Sequence, residues 1–319
     1  MVPILLSCVS LAAATLLAQD PAPAVPAPTP AVPTAKPAIA HSFFVAGPDF
    51  TGILDEEGKV TVDTHQPGAR DGWVLPNGNL LIVWSKLLVE STREGKVVLQ
   101  YALSADNQEL GTVQRLPSGN TLVTELGKQP RLHELDAAGK VVVTVPLQPE
   151  TDNGHMQTRM ARKLANGNYL VPHLLAFQVK EYTPKGEVVA VLRTDLPELG
   201  GKKVDNWPFT AIRLDSGNTL CGLTHGNKVA ELDAKGKVVW MLSNDDLPGA
   251  PIVDACGVQR LANGNTVVAS YAQGKPDGIK LFEVTPEKKM VWSYAGPRRV
   301  HHFQVLTTNG VAEPGPARK

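Results

Sequence analysis

The chain has few aromatic residues, few cysteines and no excess of charge of either sign. Aromatic residues make up 5% of its 319 residues, so a core must consist mainly of valine, leucine, isoleucine and alanine. Lysine plus arginine and aspartate plus glutamate each number 31, which leaves no overall field to attract nucleic acid or an anionic membrane. No Cys-x-x-Cys or His-x-x-x-His pair indicates a metal site, and no long stretch has helical periodicity.

The N-terminal region has the composition of an export signal followed by a spacer. Residues 3–18 are apolar and end in small residues, although no basic residue precedes them. We expect a signal peptide over residues 1–19, a secreted or periplasmic protein, and no membrane span in the mature chain. Acylation at Cys8 is the weaker alternative, because only seven residues precede it. Residues 20–40 are rich in proline and alanine and predict a disordered, extended linker.

The two remaining cysteines, Cys221 and Cys256, fall in different parts of the repeat described below. Their positions predict a separation of about 15 Å, roughly one strand length, which a disulfide cannot span. We expect two buried free thiols.

A repeated motif dominates the rest of the chain. Gly-Asn pairs recur, each three residues after a leucine, at Gly78-Asn79, Gly119-Asn120, Gly167-Asn168, Gly217-Asn218 and Gly264-Asn265. The steps between them are 41, 48, 50 and 47 residues. A second tight turn follows each pair, as in 134–143 and 231–240, between short β-branched runs. Two hairpins per repeat at this period predict an all-β, six-bladed β-propeller with four-stranded antiparallel blades.

The two ends of the repeat region complete one blade. Residues 53–62 resemble the second half of a repeat, and residues 303–310 resemble a first half. Pairing of the N-terminal and C-terminal segments would close the ring and remove its free edges. We therefore expect the propeller to span residues 41–310 and residues 311–319 to form a disordered tail.

The connections between blades, which vary in sequence, predict a ligand site at one mouth of the central channel. The candidate catalytic residues are His301, His302 and His155. The candidate ligand-binding residues are Arg70, Asp71, Arg159, Trp207 and Asp254. Imidazole, guanidinium and carboxylate groups that converge in a concavity can bind an anion or transfer protons. They can equally tie loop backbone to the blades, and no spacing among them predicts a metal.

Basic residues also recur four positions before the turn glycine. They are Arg115, Lys163, Arg213 and Arg260. A basic ring in the channel would attract anions, but the preferred interpretation is that they pair with repeated acids or turn carbonyls. The repeated acids are Glu134, Glu181, Glu231 and Glu283. Single residues in the strands, such as Glu125 and His173, are interpreted as structural.

The repeat resembles those of quinoprotein-like and arylsulfotransferase-like bacterial propellers. The resemblance rests on Arg-Leu-x-x-Gly-Asn-Thr-Leu/Val at 115–122, 213–220 and 260–267, and on Glu-Leu-Asp-x-x-Gly-Lys-Val-Val-Trp at 231–240. It implies the propeller fold. The arylsulfotransferase resemblance implies channel histidines that transfer sulfuryl groups, here His301 and His302, with Arg70 or Arg159 holding anionic oxygens. The six blades and the absence of an adjacent cysteine pair depart from quinoprotein dehydrogenases, so pyrroloquinoline quinone is not expected and the cofactor is unknown.

Two functions follow as hypotheses. The first is an exported binding or interaction module that holds a small anionic ligand or a protein partner at the channel mouth. The alternative is a channel-histidine enzyme, a transferase or hydrolase acting on an anionic group.

Overall fold

Six antiparallel sheets surround a central channel in a computed structural model that describes residues 39–319. Five sheets have four strands and the sixth has five. The predicted six-bladed β-propeller is therefore confirmed. The predicted signal peptide, Cys8 and nearly all of the linker lie outside the described residues.

The strands follow the chain blade by blade. The closing blade, blade 6, contains β1 (His41–Ala46), β2 (Thr51–Leu54) and β3 (Val60–Asp63). Blade 1 contains β4 (Asp71–Val74), β5 (Leu80–Val83), β6 (Leu87–Ser91) and β7 (Val97–Ala102). Blade 2 contains β8 (Asn107–Arg115), β9 (Thr121–Gly127), β10 (Arg131–Leu135) and β11 (Val141–Pro146). Blade 3 contains β12 (Arg162–Lys163), β13 (Tyr169–His173), β14 (Gln178–Tyr182) and β15 (Val188–Arg193).

The remaining strands complete the ring. Blade 4 contains β16 (Asn206–Arg213), β17 (Thr219–His225), β18 (Lys228–Leu232) and β19 (Val238–Ser243). Blade 5 contains β20 (Ala255–Arg260), β21 (Thr266–Ser270), β22 (Ile279–Val284) and β23 (Met290–Ala295). Blade 6 is completed by β24 (His302–Thr308) and a short β25 (Val311–Ala312). Short 3-10 turns cover Gly154–Met156, Pro197–Leu199, Gly201–Lys203 and Asn244–Asp246.

The closing blade combines three strands from the N-terminal side with two from the C-terminal side. β1 pairs with β24 along its length, from His41 opposite Thr308 to Ala46 opposite His302. The strand that pairs with the outer edge of β24 is therefore β1, from the N-terminal side, and not a strand that follows residue 310. Residues 311–312 pair with the other edge of β24, which faces the channel. Apolar clusters fill the spaces between adjacent blades, so each blade is stabilised by its neighbours.

The repeated Gly-Asn pair has a structural role at the blade interfaces. The glycine adopts a positive φ in the turn, for example +85° at Gly217. The amide of the following asparagine, Asn218, donates a 2.7 Å hydrogen bond to Glu231 on strand β18. The same carboxylate accepts a 2.9 Å bond from Arg260 of the next blade.

This relay recurs at five of the six interfaces. The basic residue and carboxylate pairs are Arg115–Glu90, Lys163–Glu134, Arg213–Glu181, Arg260–Glu231 and His41–Glu283. The interpretation that the repeated basic residues pair with acids is thus confirmed. At the sixth interface the two positions hold Ile53 and Val74, which pack in one apolar cluster.

The segment 311–319 differs from the expected disordered tail. After β25 it turns back under the channel, where Arg260 N donates to Arg318 O at 3.0 Å. It ends with Lys319 buried at 1% exposure. The sequence of this segment lacks the repeat, so only the tertiary contacts inside the channel define its position.

Candidate functional site at the channel mouth

His301 is positioned by the connection between β23 and β24, at the face formed by the inter-blade connections. Its Nδ1 lies 3.2 Å from the backbone oxygen of Arg70, so Nδ1 carries the proton and donates. The ring sits edge-on between Phe209 and Tyr271, with centroid distances of 4.8 and 5.0 Å. Within residues 39–319, Nε2 has no hydrogen-bond partner, which leaves its lone pair available.

Three predicted residues meet around a carboxylate beside this histidine. Glu109, at the start of β8, accepts from Arg70 at 2.9 Å and from Arg159 at 3.4 Å. His155 Nδ1 lies 3.2 Å from the same carboxylate and 3.4 Å from Arg70. Arg159 is 4% exposed, whereas the His155 side chain is 54% exposed. The cluster therefore has one partly buried carboxylate for two guanidinium groups.

Burial and like charge set the protonation states at the mouth. Burial, together with the charges of Arg159 and Arg70, lowers the pKa of His301 to about 3, so its imidazole is neutral at pH 7. Burial lowers the pKa of Arg159 to about 10, with Arg70 adding to the effect and Glu109 opposing it. The pKa of Glu109 is lowered, because its hydrogen bond from His155 and the charges of both arginines outweigh burial. The mouth thus combines two cations, one anion and a neutral acceptor.

A cavity of about 260 Å³ opens beside these groups. It is lined by Pro48, Gly68, Ala69, Arg70, Ser85, Tyr271 and His301. Arg299 adds a guanidinium 5.8 Å from the Tyr271 ring centroid and 3.7 Å from Asp49. The walls are aromatic and cationic, which suits a small polar ligand.

His302 and Asp71 lie deeper in the channel, both fully buried. His302 Nδ1 is 3.0 Å from Asp71. Asp71 also contacts Arg162 at 2.9 Å and Thr112 at 3.1 Å. Burial, with Lys319 second, lowers the pKa of His302 to about 4, and the surrounding cations hold the pKa of Asp71 well below its usual range despite its burial. These two residues form a buried network below the mouth.

Trp207 and Asp254 belong to another group, at the blade 4–blade 5 boundary. Trp207 lies in β16 and stacks on His225 with a centroid distance of 4.2 Å. The Asp254 carboxylate accepts from the His225 backbone N–H at 3.0 Å. Within the described chain they make no contact with His301, Arg70 or Arg159 that is close enough for a hydrogen bond.

The sequence did not identify Glu109, Phe209 or Tyr271. Glu109 precedes a register shift between Leu110 and Val113 of β8, and this bulge breaks the alignment that would place Glu109 beside Arg70. Phe209 occupies the inner-strand position that holds Arg70 and Arg159 in other blades, so the repeat frame did contain a signal for it. Tyr271 lies in the connection between β21 and β22, within a blade and not between blades, and the sequence did not predict it.

Two classes of feature are absent from residues 39–319. No three His, Cys, Asp or Glu side chains are grouped in a way that could hold a metal ion. None of the helical segments is both long and apolar enough to span a bilayer. Cys221 and Cys256 are buried and unpaired, which confirms the prediction of buried free thiols.

Comparisons with known proteins identify the fold and leave the family open. No protein-family profile and no curated protein matches the sequence. In structure the chain resembles a protein of unknown function from Bacteroides caccae, with a TM-score of 0.72, 22% identity, and coverage of 83% of this chain and 98% of that one. It also resembles catalytically inactive virginiamycin B lyase from Staphylococcus aureus with quinupristin (TM-score 0.56, 11% identity, coverage 80% and 84%).

A luciferin-regenerating enzyme is similar to the same extent, with a TM-score of 0.56, 13% identity and coverage of 81% of this chain and 91% of that one. At such identities the likeness is evidence for the β-propeller fold alone. No family match supports the resemblance to quinoproteins or arylsulfotransferases.

Proposed function

We propose that this propeller binds a small organic anion at the channel mouth, between Arg70, Arg159 and His301. The observation that carries the proposal is the charge imbalance around Glu109, which is the shared partner of two guanidinium groups. Arg159 is almost fully buried and makes the longer of the two contacts with Glu109, while its other hydrogen bonds go to the uncharged backbone oxygens of Thr158 and His155. A buried cation with an incomplete partner is costly, and an anion that enters the mouth would reduce this cost.

The magnitudes favour an anion over a neutral ligand. Two unit charges 4 Å apart gain about 4 kcal/mol at an effective dielectric constant near 20, before desolvation is subtracted. A neutral hydrogen bond contributes about 1 kcal/mol net. A bidentate carboxylate, sulfate or phosphate oxygen pair matches the planar guanidinium best.

The cavity and its walls narrow the ligand class further. Its volume of about 260 Å³ lies just below the usual range for drug-sized ligands, which favours a small molecule over a protein segment. Tyr271 lines the cavity and offers an aromatic surface beside Arg70 and His301. We expect a small aromatic or unsaturated acid, or a sulfate or phosphate ester. The same proposal includes export of the protein, which the composition of residues 1–19 favours.

A second candidate function is an enzyme in which His301 accepts a proton from the bound anion's organic part. The unpartnered Nε2 favours it, and one fold neighbour is a catalytically inactive lyase whose structure was solved with quinupristin. Against it, an imidazole with a pKa of about 3 is a weak base at neutral pH. A bound anion would raise the pKa of His301 by offsetting Arg70 and Arg159, so base catalysis would need the ligand in place.

The experiment is a thermal-shift screen of the protein against sulfate, aryl sulfates, phosphate esters and aromatic carboxylates. Ligands that bind only the native state raise the midpoint. We expect a shift from at least one anion that is lost in Arg70→Gln and His301→Gln. Arg93→Gln is the matched control, because Arg93 lies on the opposite face and donates to a turn carbonyl.

Three outcomes separate the candidates. A shift that survives both mouth substitutions would contradict the proposed site. Turnover of a binding anion that is lost in His301→Gln would favour the enzyme. Absence of any shift, with capture of a protein partner that depends on Arg70, would favour an interaction module without a small ligand.

A further inference from the structure

The lower half of the channel already contains an amine, the side chain of Lys319. Its Nζ lies 2.6 Å from the backbone oxygen of Gly72 and 3.4 Å from Asp71. His302 Nδ1 is 3.2 Å away, and the Trp73 ring centroid is 3.9 Å away. A lysine amine is thus enclosed by a carbonyl, a carboxylate, an imidazole and an aromatic face.

The number of acceptors matches a primary amine. Gly72 O and Asp71 Oδ1 each accept from the amine and the Trp73 face lies against it, while His302 Nδ1 donates to Asp71. An ammonium group has three N–H donors, whereas a hydroxyl group has one. A hydroxyl in this position could donate to only one of these two oxygens. The Trp73 face adds a cation–π attraction that a neutral alcohol does not gain.

The segment that delivers Lys319 is held by few contacts. Arg318 O accepts from Arg260 N, and the Arg318 side chain pairs with exposed Asp215. Arg162 Nε donates to Lys319 O at 2.7 Å. Between them and β25, the stretch Pro314–Ala317 makes no hydrogen bond in the described structure. It borders a cavity of about 610 Å³ that opens at the turn face and is lined by Trp73, Gln259, Gln304 and Pro316, among others.

We propose that the lower channel is a binding site for a primary amine at the end of an unbranched chain, and that Lys319 is its intramolecular ligand. The cavity at the turn face is lined by Trp73, whose ring contacts the amine, so such a ligand would enter from that face. The site is separate from the anion site at the mouth, because Asp71 and His302 lie between them. Its ligand class is the lysine side chain or an alkylamine.

Burial of the amine is consistent with this assignment. Burial lowers the pKa of Lys319 to about 7, Arg162 adds to the effect, and Asp71 opposes it. The charged and titratable groups that face the amine are Asp71, His302 and Arg162. The site therefore holds the amine by donor count and shape as well as by charge.

The test is chemical rescue of Lys319→Ala in the full chain, in a buffer free of primary amines. The substitution removes three methylenes and the amine, so n-propylamine restores the missing atoms and n-propanol restores them without the ammonium. We expect the substitution to lower the melting midpoint by about 2–4 °C or more. n-Propylamine should recover at least half of that loss, and n-propanol should recover little.

Two controls define the result. Lys59→Ala removes an exposed lysine, and its midpoint should not respond to the amine. Lys319→Met keeps the space filled, so n-propylamine should not raise its midpoint either. Equal recovery with amine and alcohol, or no recovery with either, would overturn the proposal. If Lys319→Ala does not unfold cooperatively, it is refolded with each additive, and recovery with the amine alone supports the site while recovery with both or neither rejects it.

Discussion

His301 remains neutral at the channel mouth because burial and two guanidinium groups oppose its protonation. Its native pKa of about 3 lies below the unfolded value of 6.5. Between these pH values the unfolded chain binds more protons than the native one. The contribution of His301 is therefore most favourable above pH 6.5, and native stability falls as the pH drops from 6.5 towards 3.

We expect His301→Gln to reduce this pH dependence. The free energy of unfolding of the unsubstituted protein should fall more steeply between pH 6.5 and 4 than that of the variant. The difference in slope should be up to about 1.4 kcal/mol per pH unit, the value for one proton. Guanidinium unfolding at several pH values measures it. His65→Gln is the control, because the His65 side chain is 87% exposed, and equal slopes for the His301 variant would contradict the assignment.

Glu125 is the carboxylate most fully satisfied by hydrogen bonds in blade 2. It accepts from Tyr101 at 2.7 Å, from the Ser104 hydroxyl at 2.7 Å and from Arg131 at 2.6 Å. Hydrogen bonds from Asn107, Tyr101 and Ser104 outweigh burial and lower the pKa of Glu125 to about 2. The interpretation of Glu125 as structural agrees with these contacts.

Glu125→Gln should lower the free energy of unfolding by about 2–3 kcal/mol at pH 7, because the substitution removes the carboxylate charge that the surrounding hydrogen-bond donors stabilise. The native pKa of Glu125 is depressed, so its contribution is complete above pH 4.5 and is lost as the pH falls through 2. The difference in free energy of unfolding between the variant and the unsubstituted protein should therefore become smaller as the pH falls from 4.5 towards 2. Denaturant titrations at pH 7 and pH 3 test this, with exposed Glu57→Gln as control; a deficit that is the same at both pH values would refute the account.

Among the strands, a relay from asparagine through glutamate to a basic residue connects adjacent blades at five of the six interfaces. The sixth interface shows that an apolar pair, Ile53 and Val74, fills the same positions. Replacing a partly buried ion pair by apolar residues is often neutral, whereas breaking it by one substitution is costly. The protein thus contains both solutions to one packing problem.

This comparison predicts a coupled response at the blade 4–blade 5 interface. Glu231→Ile and Arg260→Val should each lower the free energy of unfolding by about 1–3 kcal/mol, because each leaves a polar partner unpaired. The double variant should lose at least about 1 kcal/mol less than the sum of the two. A double-mutant cycle by guanidinium unfolding measures the coupling, and strictly additive losses would show that the relay contributes no pairing energy.

The propeller architecture could be predicted from the sequence because the residues that form the turns of each blade lie close together in the chain. Gly217 must adopt a positive φ and Asn218 must reach Glu231. The same residue types therefore recur at these positions in five of the six blades. The mouth was partly predictable, since Arg70, Arg159, His155 and His301 do meet there. Glu109 was missed because a bulge shifts its register, and Lys319 was missed because its burial depends on contacts with residues more than 240 positions away, such as Asp71.

The closed ring should depend on pairing of β1 with β24. Deletion of residues 41–62 removes β1, β2 and nearly all of β3. It leaves β24 with an unpaired edge and takes Phe43 and Val45 out of an apolar cluster, which exposes the members that remain, such as Leu281 and Phe303. An exposed apolar strand edge favours aggregation, which size-exclusion chromatography would detect. Loss of these three strands should also abolish cooperative unfolding, as followed by circular dichroism. A synthetic peptide of residues 39–63 should restore a cooperative transition, and a scrambled peptide should not. If the truncated chain alone melts like the intact protein, the ring does not depend on pairing of β1 with β24 and the closure argument is wrong.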